Sequence, residues 1–122
     1  MARILIIDDS PVMRNLMSDF LTDAGHEVDS CSDGQEGVAM ALQRDYDVCI
    51  CDLHMPKLNG YEVQKALMAD RPEIKLIFTD SLPDHLSDKV REAGASYCLK
   101  KPFELNQLRE ILESLLKPTR TK

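Results

Sequence analysis

No apolar run in this sequence approaches the roughly 20 residues that a helix needs to cross a bilayer, so no membrane association is expected. The basic excess of a nucleic-acid binder is missing as well. Lys and Arg number 15 against 21 Asp and Glu, and a formal net charge of −6 argues against nucleic acid as a direct partner. Cys31, Cys49, Cys51 and Cys98 form no C-x-x-C pair and fall in strand-like segments, so they read as free buried thiols in a reducing cytosol. The opening residues Met-Ala-Arg-Ile-Leu-Ile-Ile-Asp-Asp carry no extended apolar region before a cleavage site; no signal peptide and a cytoplasmic location are expected. No repeat, low-complexity tract or internal linker interrupts the chain.

What is present is enough apolar material for one core: 43% hydrophobic residues over 122 positions is the composition of a single globular domain. Strand-like and helix-like segments alternate along it. ARILIID is apolar and β-branched, and Ser10-Pro11 follows as helix cap and first helical residue. Val12, Leu16, Met17, Phe20 and Ala24 then recur at helical spacing until Gly25. HEVDSCS alternates as a strand, and Asp33-Gly34 turns into a helix holding Val38, Ala41 and Leu42. DVCICD is a nearly continuous apolar run, typical of a strand covered on both faces. After the loop LHMPKLNG comes a helix with Val63, Ala66 and Leu67, then the strand IKLIFT, a helix from Pro83 to Ala93 closed by Gly94, the short strand SYCLK, and a final helix built on Leu105, Leu108, Ile111, Leu112 and Leu115. Five βα units predict a doubly wound parallel sheet with helices on both faces. The residues at 118–122 read as a polar, frayed tail beyond a domain spanning 1–117.

Polar residues close the apolar runs. Asp8 and Asp9 end the first strand, Asp52 the third, Thr79 the fourth, and Lys101-Pro102 follows the fifth. In open parallel sheets, ligands bind beyond the carboxyl ends of the strands, where strand order reverses. Three carboxylates on neighbouring strand ends repel one another and call for a hard cation with a preference for oxygen, such as Mg²⁺ (or Mn²⁺). His26 and His85 read as surface residues, and a side-chain metal role for His54 conflicts with that preference for oxygen. The methionines at 13, 17, 40 and 68 read as core or helix-face residues.

With IIDDS at 6–10, CDLHMPKLNGYE at 51–62, FTDS at 78–81 and LKKPFE at 99–104, essentially the whole chain resembles the receiver domain of two-component response regulators, of the chemotaxis-regulator kind. The resemblance implies a flavodoxin-like sheet of strand order 2-1-3-4-5 with five helices. It implies that Asp52 accepts a phosphoryl group from a histidine kinase or phosphotransfer protein, and that Asp8, Asp9, Asp52 and the backbone carbonyl of His54 make the Mg²⁺ site. It further implies that Lys101 and Thr79 bind phosphoryl oxygens, that Thr79 transmits the change to the face of helix four, strand five and helix five, and that the Lys101–Pro102 peptide is cis.

Some positions depart from the family pattern. The family's switch aromatic, three residues before the lysine, is here Cys98, and Tyr97 lies on the opposite face of the strand. Asp80 replaces the small residue that usually follows the threonine. With His54 and Ser81, Asp80 is expected to modulate phosphoryl access or lifetime. A degenerate receiver that signals without phosphate is the first alternative. A Mg²⁺-dependent phosphohydrolase with an aspartyl nucleophile is the second, although that class uses D-x-D after strand one and the acids here are adjacent. A flavin site is disfavoured because Asp8 and Asp9 would repel the flavin phosphate. The sequence otherwise reads as a non-enzymatic module that modifies only itself. It would act alone by docking on a downstream protein, or be joined to an output domain outside this chain.

Overall fold

Short β-branched runs and capped amphipathic segments become strands and helices in strict alternation in the computed structural model, which describes residues 1–81, 86–95 and 97–116. The order is β1 (Arg3–Ile7), α1 (Pro11–Asp23), β2 (Glu27–Cys31), α2 (Gly34–Gln43), β3 (Val48–Asp52), α3 (Gly60–Asp70), β4 (Lys75–Asp80), α4 (Leu86–Glu92), β5 (Tyr97–Lys100) and α5 (Leu105–Leu116). The strands are parallel in the order β2-β1-β3-β4-β5, the flavodoxin-like arrangement expected. The expected polar tail at 118–122, His85, the first residues of the helix expected from Pro83, and Ser96 lie outside the described residues.

The helix boundaries follow local chemistry. Ser10 caps α1 by accepting the Met13 amide at 3.2 Å, with Pro11 at the first helical position, where its missing N–H costs nothing. Asp33 caps α2 through the Glu36 amide at 2.8 Å. Asn59 and Glu62 form a reciprocal capping box on α3, both bonds at 2.9 Å. Gly25 and Gly94, at φ 97° and 104°, turn the chain out of α1 and α4 in the left-handed region that glycine enters freely.

Side chains alternate across the strands and build two apolar layers. Leu5, Ile7, Cys49, Cys51 and Phe78 face α2, α3 and α4; Ile4, Ile6, Val48, Ile50 and Ile77 face α1 and α5. All five residues of β3 are buried, as its continuous apolar run demands. Cys31, Cys49 and Cys51 are buried free thiols, and Cys98 is a half-buried one. Burial pushes the Cys31 thiol up to about 12.

One face differs from expectation. The helical spacing of α1 predicts a buried stripe that includes Val12 and Leu16, but the helix buries Met17 and Leu21, with Met13 and Phe20 half in. Val12 and Leu16 stand 76% and 48% exposed. His26 is half-buried rather than superficial, its Nδ1 accepting the Ala2 amide at 3.0 Å. Among the described residues, no helix is long and apolar enough to cross a membrane.

Candidate functional site

The register of the sheet assembles the polar strand ends. Asp52 pairs with Thr79 across β3 and β4, Thr79 with Leu99 across β4 and β5, and the Lys101 amide donates to the Asp80 carbonyl at 2.7 Å. β1 ends one strand away on the other side of β3, so Asp8 and Asp9 arrive beside Asp52. The result is one acidic pocket at the carboxyl edge, where strand order reverses about β1 and β3.

Asp8 and Asp52 are almost wholly buried, at 1% and 5% exposure. The Lys101 ammonium lies 3.2 Å from Asp8 Oδ2 and 3.2 Å from Asp52 Oδ2, joining the two. Asp8 Oδ1 accepts the Ser10 amide at 2.9 Å, and the Arg14 guanidinium donates to the Asp8 carbonyl at 2.8 Å. Asp52 Oδ1 accepts the His54 amide at 3.2 Å. Asp9 is exposed, yet carboxylate oxygens of Asp8, Asp9 and Asp52 lie within 4.8 Å of one another. One ammonium against three carboxylates leaves the pocket net negative. The donor set is all hard oxygen, so it fits Mg²⁺ or Mn²⁺ better than a softer metal.

The titration directions agree with a pocket short of positive charge. Desolvation raises the Asp52 carboxyl; Lys101 and the His54 amide pull it down, Asp8 pushes it up, and the net direction is upward. Burial works to lower the Lys101 ammonium, but the two carboxylates outweigh it and hold the lysine protonated above its ordinary range.

Thr79 is 1% exposed, and its hydroxyl has no hydrogen-bond partner among the described residues. A buried unpaired hydroxyl is costly and uncommon, and this one sits on the strand beside Asp52. The Lys101–Pro102 peptide is cis. Cys98 packs with the α2–α3–α4 layer, its thiol 4.0 Å from the Ser87 carbonyl. Tyr97 is 39% exposed and lines a groove against α5 with Gln107 and Ile111, so the two residues do face opposite sides of β5.

Two associations were not legible in the sequence. Asp80 is buried, and its Oδ1 lies 3.3 Å from His54 Nε2, so two of the three residues expected to modulate the phosphoryl group form one pair. Ser81, the residue after Asp80, lines a cavity of about 430 Å³ with Met13, Leu16, Lys101, Pro102 and Phe103. The apolar character of α1 is the only sequence signal for that cavity. Another cavity, of about 720 Å³, lies at the amino edge of the sheet. Its charged lining is internally satisfied: Asp29 accepts the Tyr46 hydroxyl at 2.6 Å and the Arg44 guanidinium at 3.0 Å.

Residues 4–113 match the family model described as the response regulator receiver domain. The chain belongs to that family. Among curated relatives, this receiver is 34% identical to the protein PilH of Pseudomonas aeruginosa, over 95% of this chain and 98% of that one. It is 35% identical to the DNA-binding transcriptional regulator RpaA of Synechocystis, over 98% of this chain but 51% of RpaA; the receiver spans about half the length of that relative. Among solved structures it superposes on the response regulator TrrA of Thermotoga maritima, determined with Mg²⁺ and beryllofluoride, at a TM-score of 0.85 and 30% identity, covering 95% of this chain and 100% of that one. Receivers are signalling domains of two-component systems that work with histidine kinases or phosphotransfer proteins and bind Mg²⁺ at an acidic pocket.

Proposed function

We propose that residues 1–117 form a phosphoacceptor switch of the cytoplasm, in which Asp52 takes a phosphoryl group from a phosphohistidine of a kinase or phosphotransfer protein. An Asp52 carboxylate oxygen attacks phosphorus, the P–O bond forms as the P–N bond breaks, and the electron pair leaves on the imidazole nitrogen, which takes up a proton. The observation that carries this reading is the unpaired, buried Thr79 hydroxyl next to a buried nucleophile already held by Lys101. Both are donors suited to an arriving dianion: the ammonium by charge, the hydroxyl by an unused hydrogen bond.

Asp8, Asp9, Asp52 and the His54 carbonyl would hold Mg²⁺ (or Mn²⁺), which neutralises charge on the phosphoryl oxygens when bound. Before phosphorylation, Lys101 keeps the two buried carboxylates from repelling each other. Capture of the phosphoryl group by Thr79 pulls on the carboxyl end of β4 and reshapes the α4–β5–α5 face, with Cys98 and Tyr97 on either side of β5. His54, Asp80 and Ser81 modulate the lifetime of the acyl phosphate, the first two as a pair. The cavity beside Lys101, lined by Met13, Phe103 and the exposed Leu16, suits an apolar helical surface that presents the phosphohistidine. The receiver turns over no external product beyond the fate of its own phosphate. Its downstream partner is a docked protein or an output domain.

Intact-mass measurement after incubation with a small acyl-phosphate donor tests the reading. A single phosphoryl adduct that needs Mg²⁺ and disappears in Asp52→Asn is expected. A folded protein that gains no adduct from either the small donor or a phosphorylated histidine kinase would overturn it.

A further inference from the structure

Within the described residues α4 spans Leu86–Glu92, and Val90 is the buried residue of that stretch. A helical stretch that buries a single residue depends on few tertiary contacts for its position. Those contacts come largely from one stripe of α3. Tyr61, Gln64 and Met68 are three and four residues apart and share a face. The Lys89 ammonium lies 5.5 Å from the Tyr61 ring centroid, and Met68 reaches the Gly94 turn that ends α4.

Between them is Gln64, 0% exposed, its Nε2 donating to the Val90 carbonyl at 2.8 Å. The carbonyl only accepts, so the amide nitrogen must point toward it. The same carbonyl takes the Ala95 amide at 2.9 Å, so two donors converge on the last turn of α4. Gln64 Oε1, equally buried, has no partner among the described residues. An apolar side chain of similar size would fill this space without an orphaned acceptor. The amide contributes something packing cannot: a short, directional tie that is either made or broken. Apolar contact tolerates small sliding of a helix, whereas this bond defines one position.

We propose that Gln64 is a latch that fixes the resting position of α4 and must release when the receiver switches. The proposal rests on the reading of α4 as part of the responding face. In the resting protein the bond favours the inactive arrangement, so phosphorylation, or a phosphoryl mimic, works against it. Removing the donor makes the active arrangement easier to reach.

The test compares wild type with Gln64→Leu in the full chain. Amide hydrogen exchange in EDTA reads how firmly α4 is held, and a beryllofluoride titration with Mg²⁺, followed at the Thr79 amide resonance, reads the switch. Gln64→Leu should speed exchange across 86–92 with β1 and β3 unchanged, and should lower the beryllofluoride midpoint by roughly three- to tenfold, the population shift expected from one hydrogen bond. Unchanged α4 exchange overturns the latch, and so does a midpoint that stays put or rises. If Gln64→Leu does not fold, Gln64→Met, which also lacks the donor, is read the same way. A wild-type protein that ignores Mg²⁺ and beryllofluoride would refute the phosphoacceptor reading instead. The exchange comparison in EDTA would still decide whether Gln64 holds α4.

Discussion

Burial and the neighbouring Asp8 together raise the Asp52 carboxyl more than Lys101 and the His54 amide lower it, and the sign of that balance has a measurable consequence. The folded protein holds the Asp52 proton more tightly than the unfolded chain does, so ionising Asp52 costs folding stability. The cost is absent below the ordinary carboxylate range, near pH 4. It grows as pH rises through the folded value and is complete above it. Asp52→Asn removes the charge but keeps an oxygen for Lys101. In EDTA, the variant is expected to melt a few degrees above wild type at pH 7, with the gap closing as the pH falls toward 3 to 4. Melting curves across that range check it; a variant less stable than wild type at pH 7 would mean that the Lys101 ion pair outweighs desolvation. The same residue-scale logic explains what the sequence disclosed. Asp8, Asp52, Thr79 and Lys101 each close an apolar run, so their alignment at one sheet edge was legible. The His54–Asp80 pair was not, because nothing in sequence spacing tells which way a loop imidazole turns.

Elements are placed by contacts that sequence periodicity only partly reveals. The stripe on α1 is wide, and spacing alone does not say which edge of a wide stripe meets the sheet; Met17 and Leu21 do, Val12 and Leu16 do not. Strand order is different in kind, since alternating βα units with right-handed crossovers leave few arrangements open. Where α3 begins, the fit is tight enough to predict. A Cβ on Gly60 would lie 2.8 Å from Leu53 Cδ2, 2.9 Å from Leu53 Cα and 3.1 Å from Phe78 Cδ1. The Leu53 side chain has some freedom, but its backbone follows Asp52 directly and accepts the Gly60 amide at 2.9 Å, so it is fixed from both sides. Ala is the better helix former by at most about 1 kcal/mol, less at a first-turn position. Overpacking costs about 1–3 kcal/mol, so the clash wins. Gly60→Ala is expected to lower the urea midpoint with an unchanged m-value, for a net loss of about 1–2 kcal/mol. A midpoint at or above wild type would show that α3 can slide outward freely.

At the scale of the whole molecule, two features are both negative and easily confused: a net charge of −6 spread over the chain and a pocket of three carboxylates at one sheet edge. Any cation at sufficient ionic strength relieves the first by screening, whatever its chemistry. Only a cation that coordinates oxygen at the pocket relieves the second, and such binding stabilises the native state because the unfolded chain does not hold the three acids together. At a free concentration 100 times its dissociation constant, Mg²⁺ should add about 2.7 kcal/mol, a rise in melting temperature on the order of 10 °C for a domain of this size. NaCl at matched ionic strength should produce little of that rise. Asp9 is the informative acid to remove because it is exposed, so Asp9→Asn should leave the fold intact in EDTA. It should nonetheless lose most of the Mg²⁺ response. Equal responses to Mg²⁺ and NaCl, or an undiminished response in Asp9→Asn, would assign the stabilisation to overall charge and take the metal site away from these residues.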